Sequence, residues 1–304
     1  MNKVRYHLLS FLLLLSATLI AQEEIVISQY IHNQYAINPA FGGSRNCFTV
    51  YGAYKQQWTG VEEAPTQQIV ALHSPLKNSH FALGLKLNSS KIAIFDQTRA
   101  TASVSYRLNV TEGSLLAFGL DGGVYMGSSN YQEVTTISEG DPLLANNETT
   151  SGLALGGGLG WYGRNFYTSL SVPSFYYYNP DNSGEGELDL GKVNYLISGG
   201  YMFQLADKFH LQPSALAILN PTKSVVVDGG VTAIYNSFIW TTLAYRSVGE
   251  VVAMFAIQPI SSLKIGYSFD YPIGDLATFG SGSHEISLQY DFGHKIKSSN
   301  PKFF

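Results

Sequence analysis

His284 and Glu285 stand next to each other, and they are the first place where the sequence offers a metal ligand beside a possible general acid or base. A zinc-binding helix needs a second His four residues further on, and Leu288 occupies that position. The sequence also lacks the Gly-x-Ser-x-Gly turn that exposes a catalytic serine, and no other combination of Ser, His and Asp is fixed by spacing. We therefore predict no catalytic residue, no metal site at this pair and no cofactor.

A group of carboxylates is the other candidate for chemistry. Its members are Asp181, Glu185, Glu187 and Asp189. Carboxylate oxygens are ligands that Ca²⁺ prefers, so a calcium site is one interpretation, although a solvated loop is favoured. A glycine-rich stretch at 156–160 is followed by neither a helix nor a Lys-Ser or Lys-Thr pair. It therefore indicates tight packing in a β-sheet wall and not a phosphate loop.

The composition favours a membrane β-barrel as the structure that must position these residues. Only 13% of the 304 residues are charged, about half of the roughly 25% usual in soluble domains. Beyond the N-terminal leader, no run of 18 apolar residues is long enough for a spanning helix, whereas Tyr, Phe and Gly are plentiful. A closed barrel also satisfies its backbone in lipid and needs only alternating hydropathy. The net charge of -4, without a basic cluster, argues against nucleic-acid binding.

Residues 1–21 have the pattern of a secretory signal peptide. Lys3 and Arg5 precede an apolar core from Leu8 to Ile20, and Ala21 is a suitable last residue before cleavage. The apolar core is too short to span a bilayer. There is no Cys at the junction, which argues against a lipid anchor there. Cys47 is the only cysteine, which excludes an internal disulfide.

Residues 22–47 are predicted to form a plug-like segment on the periplasmic or luminal side. Its centre, Gln29 to Gly43, combines amides and aromatic residues with a Pro-Ala-Phe-Gly-Gly sequence. Pro39 disfavours helical geometry at Asn38, and Gly42 and Gly43 can take positive φ. The segment is therefore expected to be irregular and to need a cavity that receives it.

Alternating hydropathy predicts an all-β fold, a transmembrane antiparallel β-barrel over residues 48–292, with a tail at 293–304. In the clearest segment, Phe81, Leu83, Leu85 and Leu87 alternate with smaller or polar residues. The fourteen predicted strands are 48–58, 66–74, 80–89, 98–109, 114–126, 152–163, 165–174, 192–204, 208–219, 224–235, 237–246, 250–258, 262–270 and 284–292. A soluble β-sandwich, the alternative, would need more charge on its outer faces.

The connections between these strands predict the orientation of the barrel. Every second connection is short, whereas the long loops, among them 90–97, belong to the other series. Long loops face outward in outer-membrane barrels, so both termini are expected in the periplasm. The charged residues predicted to face the lumen are Lys86, Arg107, Asp121, Asp228, Lys264, Asp270 and Asp291. Pro213 falls inside a predicted strand and is expected to occupy a bulge.

An ordered set of sequence motifs resembles the PorP/SprF proteins of the type IX secretion system. At the N-terminal end these are Gln29-Tyr30, Asn38-Pro39-Ala40-Phe41-Gly42-Gly43, and Gln57-Trp58-Thr59-Gly60-Val61 with Ala64-Pro65-Thr66. Near the C-terminal end they are Ile265-Gly266-Tyr267-Ser268-Phe269-Asp270, Gly282-Ser283-His284-Glu285-Ile286 and Tyr290-Asp291-Phe292. Lys55-Gln56 stands where the family pattern would have an Arg-rich pair, and the tail extends past the usual last aromatic residue.

The resemblance implies a non-enzymatic outer-membrane protein of the Bacteroidetes that serves protein export, gliding or adhesin display. Its implied partners are the periplasmic ring lipoprotein or other machinery subunits, the C-terminal domain of a secreted cargo or adhesin, and outer-membrane lipid. The alternative is a transporter of hydrophobic small molecules resembling the FadL group, because Asn38-Pro39-Ala40 fits both families. An apolar lumen would favour the transporter, whereas the predicted inward-facing residues are small, polar or charged.

Overall fold

The structure is a computed structural model, and it describes residues 27–77, 80–133, 146–178, 186–187, 193–220, 224–273 and 281–293. Across these residues the chain forms sixteen β-strands and four short 3-10 helices. The strands are β1 (Phe48–Gln56), β2 (Thr66–Pro75), β3 (Phe81–Ile92), β4 (Phe95–Thr111), β5 (Ser114–Ser129), β6 (Glu148–Gly163), β7 (Phe166–Tyr178), β8 (Gly186–Glu187), β9 (Tyr195–Tyr201), β10 (Phe203–Ala206), β11 (Phe209–Leu219), β12 (Val225–Tyr235), β13 (Ile239–Arg246), β14 (Glu250–Ile260), β15 (Leu263–Pro272) and β16 (Ser283–Phe292). The 3-10 helices are Ser28–His32, Gln34–Ala36, Pro39–Phe41 and Tyr131–Glu133.

The strands form one closed antiparallel barrel. Apart from β8, β9 and β10, each strand pairs with its neighbours in sequence or across the wall position that β9 and β10 share, and β1 pairs with β16 from Phe48 opposite Phe292 to Gln56 opposite His284. The two-residue β8 only extends the β7 edge, and β9 and β10 share one position in the wall beside β11. The wall therefore has fourteen strand positions, as the sequence predicts.

The alternation of side chains follows the predicted pattern. Along β3, Leu83, Leu85 and Leu87 point outward and are about half exposed, whereas Ala82 is buried and Lys86 faces inward. The outward side chains form the lipid-facing surface of the barrel. Among the described residues, no helix is long and apolar enough to cross a membrane.

The two ends of the barrel differ. At the short-turn end, where β1 starts and β16 ends, the connections between described strands are tight turns such as Glu112–Gly113 and Arg164–Asn165. The long-loop end carries the connections 57–65 and 273–282. Aromatic pairs line the short-turn end on the outside, including Phe48 with Phe292 (ring centroids 5.4 Å apart). Such residues are typical of a membrane interface.

Two predicted connections at the long-loop end are wrong. Residues 90–97 do not form a long loop, because β3 extends to Ile92 and β4 begins at Phe95, with a two-residue turn at Ala93 (φ 50°). The first strand ends at Gln56 and not at Trp58, whose φ of 44° places it in a turn. With 17 residues, β4 is longer than the roughly 9–11 residues that cross a bilayer. The extra strand residues at 90–97 therefore extend the wall beyond the membrane.

The predicted bulge at Pro213 is also wrong. Pro213 pairs with Val231 of β12 without a shift of register. On its other side, the ladder to β9 stops at Gly200 and the ladder to β10 resumes at Phe203. Proline has no amide hydrogen to donate, and at Pro213 the neighbouring strand is interrupted on the side where that donor would be needed. No bulge is therefore required.

Candidate functional site: the N-terminal segment and the barrel lumen

Residues Ile27–Cys47, which we call the N-terminal segment, lie inside the barrel. Three of the 3-10 helices belong to this segment, and none exceeds five residues. Asn38 has extended geometry (φ -146°, ψ 116°) directly before Pro39, as predicted. Most side chains of the segment are buried, and Tyr30 and Phe41 have no exposed surface. The segment packs against the inward face of the wall.

The segment crosses the lumen from one end to the other. Ser28 contacts Lys55 and Glu285, which lie beside the long-loop end of β1 and β16. Arg45 contacts Asp291, at the short-turn end of β16. The first described residue, Ile27, is therefore at the opposite end of the lumen from Phe292. The sequence-based prediction places both termini on the periplasmic side, whereas the first described residue lies at the long-loop end.

Ser28 makes the main polar contact at the long-loop end. Its hydroxyl donates to Asp270 Oδ2 at 2.5 Å and accepts a hydrogen bond from Lys55 Nζ at 2.8 Å. Lys55 forms an ion pair with Asp270 at 2.8 Å, and both side chains are only 1% exposed. The backbone N–H of Ser28 donates to Glu285 Oε2 at 2.6 Å. This network attaches the start of the segment to β1, β15 and β16.

Arg246 extends the network to three more strands. Its guanidinium pairs with Glu250 at 2.7 Å, with Asp228 at 3.1 Å and with Asp270 at 3.5 Å. It also donates to the Ser28 hydroxyl at 3.2 Å. Because buried charges are costly unless they are paired, these contacts make the docked segment part of the electrostatic balance of the wall.

Gln29 joins the N-terminal motif to the C-terminal motifs. Its backbone N–H donates to Glu285 Oε1 at 3.1 Å, and its side-chain oxygen accepts a hydrogen bond from Ser287 at 2.6 Å. Gly266 lies against the same amide, and a Cβ at this position would collide with it. The structure thus brings together Gln29, Gly266, Asp270 and Glu285, which the resemblance singled out in separate parts of the sequence.

Asn38 anchors the middle of the segment to β6 and β7. Its amide nitrogen donates to the carbonyls of Leu159 (3.0 Å) and Leu170 (3.2 Å), which are paired across these two strands. Its side-chain oxygen accepts a hydrogen bond from the N–H of Ala40 at 2.9 Å. One side chain therefore holds the turn of the segment and also fixes the segment to the wall.

Aromatic packing follows directly after Asn38. Phe41 stacks on Tyr162 with ring centroids 5.1 Å apart and meets Tyr167 edge-on at 6.2 Å. The carbonyl of Pro39 accepts a hydrogen bond from Ser105 at 2.6 Å. These contacts place the Pro-Ala-Phe sequence in an apolar niche of an otherwise polar lumen.

The two glycines after Phe41 serve different purposes. Gly43 has φ +68°, as predicted, and a Cβ there would also crowd Ala82 at 2.7 Å. Gly42 has φ -53°, so the prediction of positive φ holds only for Gly43. Gly42 is required by space instead, because a Cβ would collide with the Ser105 hydroxyl.

Glycines in the wall provide further space for the segment. These are Gly84, Gly119, Gly158 and Gly266. An added Cβ would collide, in the same order, with Tyr35, Ala40, Asn38 and Gln29. The glycine-rich stretch of β6 is thus explained by tight packing, as expected, but against the segment as well as within the sheet.

The segment leaves the lumen through a second polar anchor. Arg45 pairs with Asp291 at 2.7 Å, and both side chains are almost fully buried. The N–H of Gly43 donates to His73 Nδ1 at 3.0 Å, and its carbonyl accepts a hydrogen bond from Arg107 at 2.6 Å. Each end of the segment is therefore held by charged side chains of the wall.

His32 is buried in the segment as a neutral imidazole. Burial, together with the positive charge of Lys264, lowers the pKa of His32 from 6.5 to about 3. Burial near Asp228 raises the pKa of the Tyr30 hydroxyl well above its usual value. Both groups are uncharged at neutral pH, which suits packing inside the barrel.

The motif Gln57-Trp58-Gly60 lies at the rim of the long-loop end and not in the lumen. The N–H of Thr59 donates to the carbonyl of Gly282 at 2.8 Å, and the N–H of Trp58 donates to the Ser283 hydroxyl at 3.3 Å. Trp58 is 39% exposed and Gly60 has φ +94°. This loop thus continues the contact between β1 and β16 that closes the barrel.

Tyr267 and His284 face outward, unlike Gly266, Asp270 and Glu285 of the same motifs. The Tyr267 hydroxyl is 2.6 Å from His284 Nδ1, and the Tyr267 side chain is exposed. Their neighbours Gly266 and Glu285 point into the lumen because side chains alternate along a strand. The sequence motifs therefore combine one luminal face with one outer face.

Several residues of the network are not evident from the sequence alone. Ser28, Arg45, Lys55 and Arg246 were not predicted as site residues, although all four contact the anchors described above. Lys55 is in phase with the buried Tyr51 and Ala53 on β1, a periodicity that could have assigned it to the lumen. The predicted luminal residues Asp270 and Asp291 have partners here, and Lys86 pairs with Asp121 at 2.6 Å.

The possible calcium site cannot be placed. Asp181, Glu185 and Asp189 lie outside the described residues, as do the predicted signal peptide 1–21 and residues 294–304 of the tail. In the part of the chain that is described, no group of three or more His, Cys, Asp or Glu side chains is arranged to hold a metal ion.

The comparison with protein families decides which proteins this chain resembles. The model for the type IX secretion system membrane protein PorP/SprF matches residues 19–290. The chain belongs to the PorP/SprF family. The PorP/SprF match includes both the N-terminal segment and almost the whole barrel. The chain is therefore a membrane component of the type IX secretion system and an outer-membrane β-barrel. No curated protein matches its sequence significantly.

Solved structures share the fold of this PorP/SprF protein at low sequence identity. The CymD monoaromatic hydrocarbon channel superposes with a TM-score of 0.56 at 11% identity, covering 90% of this chain and 95% of its own. The toluene transporter TbuX of Ralstonia pickettii gives a TM-score of 0.51 at 9% identity, covering 84% and 92%. These similarities support the barrel architecture alone.

Proposed function

We propose that this protein is a non-enzymatic part of the secretion machinery that supports export or surface attachment of cargo proteins. The family match carries the proposal, since it places the chain in the type IX system. The lumen supports it as well, because the N-terminal segment crosses it, is held at one end by the buried Arg45–Asp291 ion pair and is hydrogen-bonded at the other through Ser28 to the buried Lys55–Asp270 pair. A barrel occupied in this way suits a docking component better than an open pore.

In this proposal the two ends of the barrel bind different partners. The short-turn end faces the periplasm, where the ring lipoprotein or another machinery subunit would bind. The long-loop end faces outward, where the C-terminal domain of a cargo or adhesin would bind. Support comes from the asymmetry of the connections, since outer-membrane barrels carry short turns on the periplasmic side.

The experiment for this function compares cells that lack the gene with cells that carry it. Surface proteins should be lost selectively without a change in fatty-acid uptake. Crosslinking followed by affinity purification of the tagged protein should recover a ring lipoprotein or a large surface protein. Recovery of the barrel alone, with a hydrophobic molecule in its lumen, would reject the proposal.

A transporter of hydrophobic molecules, resembling the FadL group, is the second candidate. The shared fold with CymD and TbuX is the observation in its favour. The lumen argues against it, because the buried inward side chains are largely polar. Examples are Ser103, Ser105, Thr232, Thr242, Ser268, Ser287 and Gln289.

We also propose that the N-terminal segment plugs the lumen. Replacing residues 29–43 by a Gly-Ser sequence of equal length removes the anchoring side chains but keeps the connection to β1. The replaced protein should insert as a barrel with a several-fold higher ion conductance in planar bilayers. An unchanged conductance in a correctly folded barrel would contradict a plug.

A further inference from the structure

A cavity of about 310 Å³ opens at the short-turn end of the barrel. Three connections of the wall contribute to its lining through His80, Glu112 and Arg164, all of which are exposed. Asn46, near the end of the N-terminal segment, lines it as well. Its volume lies in the range of roughly 300–1,000 Å³ that is typical of ligand pockets. The cavity is therefore large enough to receive a side chain of another molecule.

Arg107 lies in the part of the cavity wall that adjoins the N-terminal segment. Its side chain is buried, and its guanidinium donates to the carbonyl of Gly43 at 2.6 Å and to Asn46 Oδ1 at 3.3 Å. Asn109 and Thr111, further along β4, also line the cavity and can donate or accept hydrogen bonds. The inner wall thus combines a fixed positive charge with neutral polar groups.

Arg164 supplies a second positive charge in the exposed part of the cavity. It lies in the turn between β6 and β7, and its side chain forms no hydrogen bond or ion pair with any residue that the structure describes. Glu112 is the one acidic residue among the described residues of the lining. Because two arginines face one carboxylate, the cavity has an excess of positive charge.

The two ends of the barrel differ in charge in the same sense. The connections at the long-loop end contain two basic residues, Lys192 and Lys223, and nine acidic ones, which are Glu62, Glu63, Glu133, Glu139, Asp141, Asp181, Glu185, Asp189 and Asp275. Those at the short-turn end contain more basic residues (Lys77, Arg164 and Lys208) than acidic ones (Glu112 and Asp207). The tail that follows Gly293 at this end adds Lys295, Lys297 and Lys302 and no Asp or Glu. The short-turn end therefore attracts negatively charged molecules.

The position of the cavity narrows the chemistry of its ligand. Arginine binds carboxylates and phosphates best, through paired N–H donors. A phospholipid head group is poorly placed, since lipid surrounds the outside of the barrel, whereas Arg107 and Asn46 line a space within its mouth. A protein that approaches from the periplasm can extend an Asp or Glu side chain directly into that space.

We propose that this cavity receives an Asp or Glu side chain of a periplasmic protein with an acidic surface. The carboxylate accepts hydrogen bonds from Arg164, and the charge of Arg107 in the inner wall attracts it further. This inference rests on the proposed function, in which a machinery subunit binds at the short-turn end. It adds where that subunit makes contact and which charge it carries there.

The test uses the full-length protein in nanodiscs of phosphatidylcholine, a lipid without net charge. The probe is the capped peptide N-acetyl-Ala-Glu-Ala-amide, and the control peptide has Gln in place of Glu. Saturation-transfer NMR measures the binding of both. At low salt we expect the Glu peptide to bind about tenfold more tightly, because its hydrogen bonds to arginine are charge-assisted. Molar salt should remove most of this difference.

Arg164→Gln and Lys208→Gln form a matched pair of variants. Each removes one positive charge from an exposed turn at the short-turn end, but only Arg164 lines the cavity. Arg164→Gln should weaken binding of the Glu peptide about tenfold, whereas Lys208→Gln should change it less than about twofold. Circular dichroism and heat-dependent gel mobility check that each variant is folded.

In cells, charge reversal at the same two positions tests the contact with the natural partner. Arg164→Glu should abolish recovery of a periplasmic subunit after crosslinking and affinity purification, and Lys208→Glu should preserve it. If Arg164→Glu retains the subunit, the cavity is not the docking site. A selective loss of surface proteins in cells without the gene would then still support the proposed function, and only this site would fail.

Three results in nanodiscs would overturn this inference. The Glu and Gln peptides might bind equally, or the two variants might weaken binding equally, which would reduce the effect to the overall charge of this end. The third is that phosphatidylglycerol stays bound to the purified wild-type barrel but not to Arg164→Gln. That result would assign the arginine to a lipid head group.

Discussion

Among single residues, buried charged side chains and wall glycines hold the N-terminal segment in place. Lys55, Asp270 and Ser28 form one contact set with distances between 2.5 and 2.8 Å. Removing one member leaves a buried charge without its partner, which is far more costly than the loss of an exposed pair. Glycines act differently, since they leave the volume that the segment fills.

Lys55→Met tests the buried pair. Asp270 would lose its closest cation, and we expect the free energy of unfolding to fall by about 3 kcal/mol. Urea unfolding of the barrel in lipid vesicles measures it. Lys91→Met is the control, because Lys91 is half exposed and lies 4.0 Å from Asp96, so its loss should cost less than about 1 kcal/mol. Equal effects of the two variants would contradict the importance of burial.

Gly119→Ala tests the space for the segment. The added methyl group would collide with the backbone of Ala40, which has no side-chain freedom to yield, at a cost of about 1–3 kcal/mol. Displacement of the segment should expose Cys47, the only cysteine, and speed its labelling by maleimide severalfold. Gly229→Ala meets no atom within 4 Å and should label like the wild type. Slow labelling of both variants would show that the segment tolerates the methyl group.

At the scale of elements, the segment and the wall depend on each other. The 3-10 helices of the segment are too short to be stable alone, and their polar groups are satisfied by the strands. The wall in turn encloses Lys55, Asp270 and Arg246, which need Ser28 to complete their hydrogen bonds. Docking of the segment is therefore expected to respond to changes in charge.

Acid should weaken the docking of the segment through His32. The docked state lowers the pKa of His32 to about 3, whereas an undocked imidazole titrates near 6.5. The undocked state therefore binds more protons between these values, and docking becomes less stable as the pH falls from about 6.5 towards 3. Bilayer conductance should rise over this range.

His32→Phe isolates this contribution, since phenylalanine stays neutral at every pH. The conductance of the variant should change less between pH 6.5 and pH 3 than that of the wild type. The remaining change would belong to the carboxylates of the network. Identical pH profiles for the two proteins would show that His32 does not control docking.

At the scale of the whole molecule, the asymmetric barrel determines which surfaces meet which compartment. The strands β4, β5 and β6 have 16 or 17 residues and extend the wall at the long-loop end. The short-turn end is compact and bears exposed aromatic residues such as Phe48 and Phe292. This shape agrees with long loops facing outward and tight turns facing the periplasm.

Cysteine labelling in intact cells tests this orientation. In a Cys47→Ser background, Lys91→Cys at the long-loop end should react with a membrane-impermeant maleimide. Glu112→Cys, in an exposed turn at the other end, should react only after the cells are opened. The reverse pattern would invert the proposed orientation and exchange the surfaces assigned to cargo and machinery.

The barrel, the number of wall positions and the inward direction of residues such as Lys86 and Asp270 can all be predicted from the amino-acid sequence. The reason is that lipid exposure imposes a period of two on every strand, which is visible without tertiary contacts. The irregular character of residues 29–43 was equally local, because it follows from Pro39 and the adjacent glycines. Family membership followed from the order of the motifs.

The pairs of residues that meet in the lumen are visible only in the folded barrel. The contact between Ser28 and Asp270 spans 242 positions, and no local periodicity encodes it. The strand extension at 90–97 depends on register with the neighbouring strands. The direction of the segment through the lumen is likewise fixed by the Arg45–Asp291 ion pair, by the hydrogen bonds of Ser28 and by the space left at wall glycines.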